Sequence, residues 1–121
     1  MAAQEGCDLR LRTKAFALRI IRLYGALPFA TVAQVIGKQL LRSATSVGAH
    51  YREAARARSP AEFVSKLEVG LQELDESVYW MELLVEGQIM PAPRLESLRE
   101  EANELIAILV SSINTSKRNN R

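Results

Sequence analysis

Leu67, Leu71, Leu74, Val78, Met81 and Val85 recur at alternating intervals of four and three residues. That rhythm is the seam of a long helix packed lengthwise against other helices, and a strand cannot produce it. The helix has a strong start in Ser59-Pro60-Ala61-Glu62, with a capping serine, a proline in the first turn and a glutamate three positions on, and Gly87 ends it. Leu67, Leu71, Leu74 and Val78 are the expected bundle core.

The remaining sequence repeats the theme. Leu95, Leu98, Ala102, Leu105, Leu109 and Ser112 predict a helix after Pro91 and Pro93. Phe16, Ile20, Leu23 and Leu27 predict one over 11–27, broadened by Ala17, Ile21 and Tyr24 and stopped by Pro28. Between them, Val32, Ile36, Leu40, Val47 and Tyr51 predict a helix over 31–58, with Thr31 as its cap and Gln34 completing a capping box. Small residues fill positions 43–49 of that helix, so a neighbour is expected to cross most closely there. Gly48 costs about 1 kcal/mol of helix propensity, which a close contact offsets.

Four helices joined by short turns give an all-α fold, an antiparallel up-down four-helix bundle. Residues 9–115 form the bundle, 1–8 are expected to be a flexible N-terminal segment and 116–121 a polar tail. No stretch is apolar enough to span a membrane, and the N-terminus lacks the apolar core of a signal peptide. A cytoplasmic protein is expected. With one Cys and one His, the chain has neither an internal disulfide nor a thiolate metal cage. No metal or cofactor is expected.

The net charge of +2 conceals a division. Residues 9–58 carry ten Lys or Arg against Glu53 alone, whereas residues 59–116 carry eleven acids against three bases. Ion pairing between the halves is the plainer outcome, with Glu73 and Glu76 spaced to hold Arg42; Arg42, Glu53, Glu73 and Glu76 are the expected structural polar network. Arg19, Arg22, Arg52, Arg56 and Arg58 are the candidate nucleic-acid contacts, since a basic array attracts phosphate whatever its base sequence.

YWMELLV at 79–85 and LIAILV at 105–110 place apolar side chains all around their helices. A small bundle buries one face of each helix, so Trp80, Leu84, Ile106 and Val110 are left as candidate contacts between copies of the chain.

Catalytic constellations are sparse. His50 and Glu53 stand one turn apart, but a bundle di-metal site needs a second His. A bundle-type ribonuclease would use His50 beside an arginine, yet Arg42 and His50 lie about 80° apart around a helix axis. Cys7 has no base beside it, and the glycines form no phosphate loop.

The most specific pattern is Gln39-Leu40-x-Arg42-Ser43-x-x-Ser46-Val47-x-Ala49-x-x-x-Glu53, followed by Glu62-Phe63 and Glu73-x-x-Glu76. In these positions the chain resembles the four-helix-bundle proteins encoded in intervening sequences of bacterial 23S ribosomal RNA genes. The resemblance extends over about residues 9–115; the family commonly has Asn where this chain has His50. It implies a homopentameric ring, kinship with the accessory bundle proteins of diversity-generating retroelements, and no established enzymatic activity. The expected function is a non-enzymatic homo-oligomeric scaffold that contacts RNA. A ribonuclease using His50, and a pure protein-interaction module, stay open as alternatives.

Overall fold

The computed structural model describes residues 2–119, with side chains described from residue 9. Met1, Asn120 and Arg121 lie outside the described residues, as do the side chains of segment 1–8, including Cys7. Four helices follow in order: α1 Ala2–Gly25, α2 Thr31–Ala55, α3 Pro60–Glu86 and α4 Ala92–Asn119. Helix α1 therefore begins well before residue 11, and α4 runs on through Lys117 and Arg118 into the expected tail. Each helix packs against its neighbours in sequence, most extensively α2 against α3 and least α1 against α4. Short turns between long helices leave an antiparallel up-down arrangement as the only compact solution.

The turns follow local chemistry. Ser59 caps α3 by accepting the Glu62 N–H at 3.1 Å, as its sequence predicts. The capping box at α2 does not form. Ala30 occupies the cap without a side-chain bond, and Gln34 instead donates to the Pro28 carbonyl at 2.9 Å and accepts from the Tyr24 hydroxyl at 2.8 Å. Gln34 thus ties the turn to α1 rather than capping its own helix. Helix α2 stops at Ala55, three residues short of Arg58, where the Arg56 and Ala57 amides turn back onto Glu53 and Ala54. Gly87 ends α3, but the left-handed residue there is Gln88, with φ of 60°.

The core is built from Phe16, Ile20, Leu40, Val47, Leu67, Leu74, Met81, Leu84, Leu95, Leu105 and Leu109. Helix α3 is turned relative to the heptad reading. Its buried row is Leu67, Gly70, Leu74, Ser77, Met81 and Leu84, with Leu71, Val78 and Val85 half-buried on the flank. The cause is the tight α2–α3 crossing: the Ser43 and Ser77 hydroxyls meet at 2.9 Å, and a Cβ at Gly70 would stand 3.5 Å from that of His50. Small side chains draw α3 onto α2 and swing Leu84 inward.

Helix α2 shows the same preference. It buries Ala33, Gly37 and Ala44, while Val32 is exposed and Ile36 half-buried. Gly48 abuts α1, where an added Cβ would stand 3.1 Å from the Thr13 hydroxyl, so the small stretch 43–49 receives a neighbour on two sides. Phe16, Ile20 and Leu23 on α1, and Leu27 in the turn that follows, are buried as their spacing predicts, but Ile21 faces solvent. In α4 the last core position is Ile113 rather than Ser112.

Candidate phosphate-binding face

Ion pairs bind the basic and acidic halves together in part. Arg12 on α1 donates to Glu101 at 2.6 Å and to Glu104 at 3.2 Å on α4. Arg42 on α2 reaches Glu73 at 3.0 Å and Glu76 at 3.1 Å on α3. Glu53 does not join that network: it accepts from Lys66 at 2.9 Å and lies 3.8 Å from His50. Three helical turns separate Arg42 from Glu53, about 16 Å, too far for one cluster. Lys66 hydrogen-bonds and attracts the Glu53 carboxylate, holding it below the ordinary glutamate range, and Lys66 is raised by the same pair. Glu82 pairs with Arg99 at 3.8 Å and Glu68 with Lys117 at 3.4 Å.

Among the described residues, the cations left without an ion pair fall mostly in one region. They are Arg10, Lys14, Arg19 and Arg22 on α1, Lys38, Arg52 and Arg56 on α2, and Arg58 in the turn beyond, with Arg94 and Arg118 on α4 as the exceptions. No acidic residue lies between Asp8 and Glu53, so the cations from Arg10 to Arg52 have no carboxylate within that stretch of chain to oppose them. Lys14 and Arg52 flank a shallow groove floored by Ala17, Thr45, Gly48 and Ala49. Small residues at this crossing keep the floor low and let the two flanking cations stand above it.

The five arginines that the sequence marks as candidates are not brought together. Arg52, Arg56 and Arg58 cluster at the α2–α3 end of the bundle. Arg19 turns toward α4 and donates to Ser97 at 2.8 Å. Arg22 sits near the opposite end, because Thr13 is already level with Gly48 and the hairpin is antiparallel. The axial separation of Arg22 from Arg52 is about 20 Å. Lys14 and Arg10, which sequence spacing does not mark, take their place beside Arg52. The turn at Pro28 is the signal that locates them, since folding the chain there aligns residue 14 with the last turns of α2.

Leu84 is fully buried, which removes it from the surface available to another copy. Trp80 and Ile106 are half-buried against the core and Val110 is exposed. Trp80 also meets Tyr79 edge-on at 5.1 Å, and its indole N–H has no partner among the described residues. His50 is half-buried, with Glu53 as its neighbouring carboxylate and an Nδ1 that makes no hydrogen bond. Among the described residues, no three His, Cys, Asp or Glu side chains converge as metal ligands. No described helix is long and apolar enough to cross a membrane.

Residues 7–111 match the family described as 23S rRNA-intervening sequence protein. A crystal structure of a protein of unknown function from the S23 ribosomal protein family of Bacteroides thetaiotaomicron is similar to this chain. The two share 37% identity and a TM-score of 0.84, over 90% of this chain and 97% of that one. No curated protein matches the chain.

Proposed function

The chain belongs to the 23S rRNA-intervening sequence protein family, and from that premise we propose that it is a non-enzymatic, homo-oligomeric scaffold that contacts RNA. The assembly is a pentameric ring akin to the accessory bundles of diversity-generating retroelements. Its RNA contact is Arg52, Arg56 and Arg58.

One observation carries the reading. Once internal ion pairs are assigned, most of the cations left over lie on α1, α2 and the turn beyond, where Glu53 is the one described carboxylate and is already held by Lys66. A surface of that kind retains its charge in solution and condenses on phosphate backbones by releasing counterions. It has no aromatic platform of the sort that reads single-stranded bases, so the contact is with backbone and shape rather than sequence.

Titration of a structured RNA across a salt series tests it. Affinity falls steeply with salt, and the combined Arg52→Ala, Arg56→Ala and Arg58→Ala variant shows a shallower slope, by roughly one unit for each phosphate it no longer neutralises. Affinity that ignores salt, or a triple variant that binds like the parent, overturns the assignment.

A further inference from the structure

Helix α1 is apolar on two opposite sides. Phe16, Ile20 and Leu23 enter the core, yet Leu11, Leu18 and Ile21 face away from it with 68%, 42% and 48% of their surface exposed. With Lys14 these outward residues follow the spacing three, four, three. That is a second heptad stripe, and nothing among the described residues covers it.

Helix α3 carries a matching row on its own outer side. Val69, Gln72, Glu76 and Tyr79 repeat the same spacing, with all four exposed. The two rows also stand at equal height in the bundle. Thr13 is level with Gly48 and His50 with Gly70, which places Leu11 level with Val69. Ser43 meets Ser77, which places Ile21 level with Tyr79. Both helices run in the same direction.

We propose that the outer stripe of α1 docks on the outer stripe of α3 in a second copy of this chain. The assignment rests on the reading that the protein self-associates, and it names the two surfaces that do so. Because the stripes differ, the contact is head-to-tail. Because they lie at one height and run parallel, a rotation about an axis along the helices superposes one on the other without a shift. That is the condition for a closed ring rather than a filament.

Charge selects the same partner and register. In a parallel heptad pairing, the position after one seam residue faces the position before a seam residue five places back on the other helix. Arg22 then faces Asp75. Arg22 and Asp75 are exposed, and neither has an ion-pair partner among the described residues. Arg52, Arg56 and Arg58 lie outside this contact.

The test is a charge exchange read by sedimentation equilibrium, with circular dichroism to verify folding. Both residues are at the surface, so neither substitution disturbs the core. Arg22→Asp and Asp75→Arg each weaken assembly by about tenfold or more through like-charge contact, and the double variant recovers it. An assembled parent whose mass neither single variant alters overturns these surfaces while leaving self-association standing. Loss in both single variants without recovery in the double overturns the register. A parent that is monomeric at tens of micromolar overturns both this assignment and the reading it rests on.

Discussion

Lys66 donates to Glu53 at 2.9 Å across the α2–α3 crossing, and the pair is exposed. The hydrogen bond and the attraction of the ammonium hold the Glu53 carboxyl below its ordinary value of 4.5. A carboxylate lowered on folding stabilises the native state above its unfolded pKa, and that contribution disappears as pH falls through the folded one. Lysine works in the opposite direction: Lys66 is raised, so its share is present below its unfolded pKa and is lost as pH climbs through the folded value. Lys66→Ala is therefore expected to move the Glu53 titration upward toward 4.5, as followed by carboxyl NMR. A Glu53 that titrates identically in both proteins contradicts the pairing. Gln88 offers a second residue-level measurement. Its φ of 60° suits glycine, so Gln88→Gly is expected to stabilise the fold by roughly 0.5–1 kcal/mol in denaturant melts, strain relief exceeding glycine's entropic cost. Lower stability would show that the Gln88 side chain contributes more than its backbone costs.

At the scale of elements, the crossing of α2 and α3 decides which side chains are inside. Ser43 and Ser77 touch at 2.9 Å in a fully buried contact, with no room for a larger side chain. Ser77→Leu should therefore destabilise the bundle by about 1–3 kcal/mol through overpacking. Met81→Ala, which opens a cavity in the same buried row, should cost about 2–5 kcal/mol. A Ser77→Leu protein that melts like the parent would mean that the crossing is looser than its geometry. The same crossing explains what is legible in the chain. Helix count, Ser59 as the α3 cap and the buried side of α1 all follow from apolar spacing and turn chemistry. The face of α3 does not, because a count of apolar residues gives no weight to Gly70 and Ser77, the residues that let α2 approach. Leu84 reads as a surface residue for that reason. Thr31 does not serve as a cap because Gln34 finds partners on another element, a choice that local sequence does not encode.

For the whole molecule, the division of charge is legible in sequence, but its resolution is not. Arg12 and Arg42 are spent on internal carboxylates while Lys14 and Arg52 are free, and only the pairing of helices distinguishes them. Apolar excess is legible too, but only in part: of the residues it marks Leu84 is buried and Trp80 and Ile106 are half-buried, whereas α1 exposes Leu11, Leu18 and Ile21. Phe29, 97% exposed at the α1–α2 turn, adds to that surface. Uncovered apolar area of this extent is what a second copy would cover in the proposed assembly. The most direct test is the mass of the wild-type protein in solution, measured by sedimentation equilibrium over a range of micromolar concentrations. One defined multiple of 13.5 kDa is the predicted result. A particle of 13.5 kDa throughout that range would contradict self-association.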